Sequence, residues 1–113
     1  MTAYRGEIWI ANLNPSKKNN EVGKVRPVLV FQNDDLNESE YPTTIILPLT
    51  TSLIDDAQPL RYRIASRDNL KQDSDVLIAH IRSIDNIRFI EKIAILTPQE
   101  FEEIKECLYE VLS

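Results

Sequence analysis

A chain of 113 residues, 42% hydrophobic and 27% charged, has room for one compact domain with a modest core. Its formal charge of −5 at pH 7 argues against a protein that coats nucleic acid by charge alone, and no apolar run approaches the roughly 20 residues a bilayer requires. One cysteine, Cys107, forbids an internal disulfide, and with one histidine, His80, it excludes ordinary structural zinc spacings. No signal peptide opens the chain, so the expected location is the cytoplasm. No repeat, low-complexity tract or linker divides residues 1–113, which are read as one domain.

Glu7 to Ala11 alternates, with Ile8 and Ile10 on one face, as a strand does. Asn14 to Val25 is long, polar and basic. Val28 to Phe31 is continuously apolar, the pattern of a strand buried on both faces. It is entered through Gly23, Lys24, Arg26 and Pro27, and Pro27 pushes Arg26 into an extended backbone. The only two glycines, Gly6 and Gly23, flank this N-terminal unit, where an average chain of this length has about eight overall. Asn33 to Pro42 reads as an acidic loop.

Thr43 to Leu49 is β-branched and apolar, with Pro48 limiting it near its end. Thr51 to Pro59 is a connection containing Asp55 and Asp56. Leu60 to Ala65 sets Tyr62 and Ile64 against Arg61 and Arg63, a half-exposed strand. Val76 to Ile81 and Lys92 to Leu96 complete the strands. Thr97, Pro98 and Glu100 then form a helix start, with a capping threonine, a proline at the first position and a glutamate at the third. Phe101, Ile104, Leu108, Val111 and Leu112 recur at helical spacing beyond it, and Cys107 reads as a half-buried helix residue. These elements predict a mainly β fold, a short-strand barrel closed by one amphipathic C-terminal helix.

Several catalytic kits are missing. One histidine rules out a two-histidine ribonuclease, and there is no Gly-x-Ser-x-Gly elbow, P-loop or dinucleotide fingerprint. The adjacent pairs Asp34-Asp35 and Asp55-Asp56 are weak metal-site candidates, and no cofactor is expected. The charge is unevenly spread. Residues 1–31 set Arg5, Lys17, Lys18, Lys24 and Arg26 against Glu7 and Glu21, a basic patch on an acidic body. Such a patch suits a short piece of RNA better than nucleic acid in general. Arg26 at the mouth of a rigid strand is a natural phosphate ligand, its planar fork matched to phosphate oxygens. Trp9 and Tyr4 are candidates for stacking on bases, although Trp9 in an alternating strand suits packing better.

Three linked segments resemble the MazF/PemK family of toxin endoribonucleases. They are Arg5 to Pro15 continuing through Gly23 to Val30, then Ile45-Ile46-Leu47-Pro48-Leu49-Thr50-Thr51, then His80-Ile81-Arg82-Ser83-Ile84-Asp85. The resemblance spans essentially the whole chain. It implies a compact SH3-like barrel of the CcdB/MazF type, and metal-independent, sequence-selective cutting of single-stranded RNA to 2′,3′-cyclic phosphate and 5′-hydroxyl ends. It implies Arg26 and Thr50 as the catalytic pair, a homodimer and a cognate antitoxin protein. The RNA contacts expected beside them are Lys17, Lys18, Glu21, Lys24, Thr51, His80 and Arg82. His80 stands where family members usually carry glutamine, and Leu77 and Ala79 replace charged residues that some relatives place upstream. The segment from Pro15 to Arg26 is one residue longer than in several relatives. A non-enzymatic gyrase poison or a silent binding module on the same fold are the alternatives.

Overall fold

A computed structural model of the chain describes residues 2–13 and 25–113. Among the described residues, seven strands and two α-helices follow in order: β1 (Glu7–Asn12), β2 (Val25–Val30), α1 (Asp34–Glu38), β3 (Thr43–Thr50), β4 (Arg61–Ile64), β5 (Ser74–Leu77), β6 (Arg82–Asp85), β7 (Phe89–Ile95) and α2 (Pro98–Leu112). The strands form one antiparallel sheet in the order β4-β5-β3-β2-β1-β7, with β6 paired to the early half of β3. Two register irregularities between β1 and β7 bend that pair and help the sheet coil.

Strand pleating divides the core in two. Ile8, Leu29, Leu47, Leu49, Val76 and Ile93 face α2, which contributes Phe101, Ile104 and Leu108 to the same cluster. Each such side chain stabilises by roughly 1.5–3 kcal/mol on burial. The opposite face buries Trp9, Ala11, Val28, Val30, Ile46, Ile84 and Phe89. Val28, Leu29 and Val30 thus feed both clusters, as their unbroken apolar run predicts. Trp9 is a packing residue: it is buried, edge-on to Phe89, and its Nε1 donates to Glu7.

The expected boundaries shift in a few places. Asn33 to Pro42 contains the short helix α1, with Asn33 accepting the Leu36 amide as its cap. The run from Val76 to Ile81 is broken after Leu77 by a 3-10 turn over Ile78–His80, and β6 follows as a separate strand. The cause is β3, whose one edge pairs with β5 near its end and with β6 near its start. The register on β3 shifts by three residues between the two pairings, and the 3-10 turn takes up the extra residues.

Helix α2 begins with a complete capping box between Thr97 and Glu100. Glu100 also receives both ends of the Arg67 guanidinium at 2.5 and 2.7 Å, and the Tyr62 hydroxyl donates to Glu103. These bonds fix the helix over the barrel mouth. Burial pushes the Cys107 thiol up, as suits an inert helix residue.

Gly6 has a φ of 88°, a left-handed backbone that side chains disfavour, and open space where a Cβ would stand. Its N–H bonds Val30 and its carbonyl accepts from Leu96, tying β2 to the end of β7. Gly6→Ala should therefore lose about 1–2 kcal/mol from backbone strain alone, and Gly6→Asn less, because asparagine tolerates this region. Denaturant midpoints of the two variants check the ranking.

Candidate active site

Alternation along two neighbouring strands carries the second core cluster to its polar end. On β2 that face runs Val30, Val28, Arg26; on β3 it runs Ile46, Pro48, Thr50. The ladder pairs Val30 with Ile46 and Val28 with Pro48. Carried two residues further, the same register brings Arg26 level with Thr50. Both line one pocket of about 240 Å³, together with Val25, Pro27, Leu49, Thr51 and Ser74. Residues 24 apart in sequence are neighbours because two strands run antiparallel.

The pocket combines one guanidinium with three hydroxyls over an apolar floor. Thr50 Oγ1 accepts the Ser52 amide at 3.1 Å, which turns the chain as β3 ends. That bond occupies a lone pair and leaves the hydroxyl proton to be given elsewhere. Ser74 Oγ donates to the Gln72 carbonyl. Among the described residues lining the pocket there is no carboxylate and no imidazole. A guanidinium beside hydroxyl donors is chemistry suited to an anion.

Other expected contacts are distributed differently. Thr51 shares the pocket. His80 is exposed at the end of the 3-10 turn, and Arg82 is exposed on β6 opposite Ile46. Arg82 therefore lies about 13 Å back along β3 from Thr50, at about 3.3 Å per residue. Lys17, Lys18, Glu21 and Lys24 lie outside the described residues. Asn12 and Val25 are paired at the ends of β1 and β2, next to the pair Ala11 and Arg26. Among the described residues, no three His, Cys, Asp or Glu side chains gather as a metal site. No described helix is long and apolar enough to cross a membrane.

A second polar cluster adjoins the pocket and was not anticipated from the sequence. Asp75 is the strand partner of Thr50 and is only 1% exposed. Its Oδ1 accepts Arg63 Nε at 2.5 Å, and its Oδ2 accepts Arg61 Nη1 and the Ile54 amide, each at 3.0 Å. Arg61 also donates to the Ser52 carbonyl at 2.8 Å, and Arg63 to Asp55 at 3.0 Å. A signal was available: Asp75 stands directly before the buried apolar run Val76 to Ile78, while Arg61 and Arg63 share the face opposite Ile64. Burial alone would raise the Asp75 carboxyl. The Arg63 hydrogen bond, the Ile54 amide and Arg61 outweigh it and hold it below its usual range. Glu100 is lowered chiefly by its hydrogen bond with Arg67.

Groups lowered in the fold bind fewer protons there than in the unfolded chain, so their contribution is present above the ordinary pKa and lost as pH falls. Stability should therefore hold from neutrality down to about pH 5 and fall through and below the ordinary values of 3.8 and 4.5. Denaturant titrations at a series of pH values measure that slope.

A coiled antiparallel sheet capped by a C-terminal helix is the fold of the solved MazF toxins. The crystal structure of MazF (Form-I) from Deinococcus radiodurans superposes with a TM-score of 0.77 at 21% identity, covering 99% of this chain and 97% of that one. A mycobacterial endoribonuclease in complex with its cognate antitoxin superposes with a TM-score of 0.75 at 17% identity, covering 97% and 94%. In sequence, the chain is 36% identical over 109 residues to endoribonuclease EndoA of Bacillus subtilis (strain 168), 96% of this chain and 92% of that protein. The chain belongs to the PemK-like, MazF-like toxins of type II toxin–antitoxin systems, whose family model matches residues 4–112.

Proposed function

We propose that residues 1–113 act as one toxin domain, an endoribonuclease that cuts single-stranded RNA without a metal and so arrests translation and growth. The observation that carries this reading is the shared pocket of Arg26 and Thr50 in a chain of this family. RNA brings its own nucleophile. Its 2′-hydroxyl attacks the adjacent phosphorus, the P–O5′ bond breaks, and the products are a 2′,3′-cyclic phosphate and a 5′-hydroxyl.

Arg26 holds the phosphoryl oxygens and neutralises the charge of the phosphorane. A guanidinium keeps its proton in proteins, so Arg26 acts as an electrostatic donor. Thr50 donates its hydroxyl to the same phosphate, aimed by the Ser52 amide. Glu21, five residues before Arg26 in the sequence, accepts the 2′-hydroxyl proton or bonds a base amino group. Lys17, Lys18 and Lys24 guide the phosphate backbone, Thr51 bonds the nucleotide beside the cut, and His80 and Arg82 contact RNA farther along.

The protein works in the cytoplasm as a homodimer. Its cognate antitoxin occupies the RNA surface with an acidic, initially disordered segment that mimics phosphates.

Purified protein incubated with a long unstructured RNA in excess EDTA should give discrete fragments ending in cyclic phosphate. Arg26→Ala should slow cutting by about a hundred- to a thousandfold, the usual effect of removing one transition-state donor. A single 2′-deoxy substitution at the cut should block it completely. Intact RNA with folded wild-type protein would overturn the reading. Neutralising Lys17, Lys18 and Lys24 together should weaken binding of RNA and of antitoxin and flatten its salt dependence; unchanged affinity for both would remove those lysines from the surface.

A further inference from the structure

We propose that Asp75 is a positioning residue for RNA cleavage, holding Thr50 and the turn after it in place through Arg61 and Ser52. The proposal rests on the RNA-cleavage reading above. The path is short and continuous. Asp75 orients Arg61 at 3.0 Å, Arg61 grips the Ser52 carbonyl at 2.8 Å, and the Ser52 amide aims Thr50 Oγ1 at 3.1 Å. Asp75 also takes the Ile54 amide directly, and Arg63 ties Asp55 to the same carboxylate. The turn that follows Thr50 is therefore held at three successive points. Thr50 is itself the strand partner of Asp75, so both ends of this arrangement share one row of the sheet.

Other roles fit the geometry less well. Asp75 is a poor proton acceptor, because both of its oxygens already receive strong donors and it is shielded from solvent. Arg61 and Arg63 are poor RNA anchors. Their guanidiniums are engaged by Asp75 and Asp55, and Asp56 lines the same hollow, leaving three carboxylates against two guanidiniums. That balance repels phosphate. A buried ion pair is seldom retained for stability alone, since apolar replacements often do as well. What the pair does supply is one defined conformation for the turn that carries the hydroxyl.

Single-turnover cutting and binding of an uncleavable RNA, 2′-deoxy at the cut, separate positioning from mere folding. Asp75→Asn keeps the shape and loses the charge that holds both arginines. Its cutting rate should fall about tenfold or more, as expected when a catalytic group is displaced by a fraction of an ångström to an ångström. Affinity for the uncleavable RNA should stay within about twofold, since the pocket walls remain. Arg61→Gln, which leaves Asp75 with Arg63 and Ile54, should show the same split. The double variant should lose little more than either alone, because both act on one turn. Cutting that stays at the wild-type rate in Arg61→Gln would overturn the proposal, whether or not Asp75→Asn folds. So would a rate that falls only in step with affinity. A wild-type protein that leaves RNA intact overturns the cleavage reading and this role with it; a cutting wild type with indifferent variants overturns this role alone.

Discussion

The antiparallel ladder between β2 and β3 is the constraint on which the site depends, because it decides which residue of one strand stands beside which residue of the other. A slip of one residue would move Arg26 or Thr50 to the opposite face of the sheet. The slip is prevented from both sides. Leu29 and Leu47 are locked among the side chains under α2, while Val28, Val30 and Ile46 are locked in the second cluster. Because β2 is apolar on both faces in this stretch, any shift would bring side chains of the wrong size into two packed interiors at once. Core packing therefore sets the register, and the register sets the pocket.

β3 has a second duty. Its other edge is divided between β6 and β5, whose registers differ by three residues, and the turn over Ile78–His80 takes up that offset. The division places Asp75 next to Thr50 and leaves Arg82 back at Ile46. β3 thus carries the pocket at its end, and β6 sets Arg82 opposite its middle. Such spacing suits an extended ligand that is held at several points along its length.

The electrostatics of the site differ sharply from those of the body. The chain carries a net −5, yet the described lining of the pocket has Arg26 and no carboxylate. The carboxylates of the adjoining cluster are engaged: Asp75 and Asp55 are bound by Arg61 and Arg63. Pairing these charges with one another neutralises part of the acidic body beside the pocket. The arrangement also explains how an acidic protein of this family can approach a polyanion at one small place.

The amino-acid sequence by itself determined the strand-rich course of the chain, the C-terminal helix with its capping box, and the family resemblance that singled out Arg26 and Thr50. Those are local properties: alternation, proline and glycine placement, and side chains that cap their own backbone. It also marked Trp9 as packing rather than exposed stacking. The short helix α1 and the break between β5 and β6 were not legible, because polar spacing suits loop and helix alike and an apolar run does not reveal where its register shifts. Only the tertiary structure decided that Arg26 and Thr50 share a pocket while His80 and Arg82 stand apart, and that Arg61, Arg63 and Asp75 form one cluster. Such proximities depend on long-range strand pairing, and pairing is set by how two packed faces fit together rather than by any residue's own neighbours in the chain.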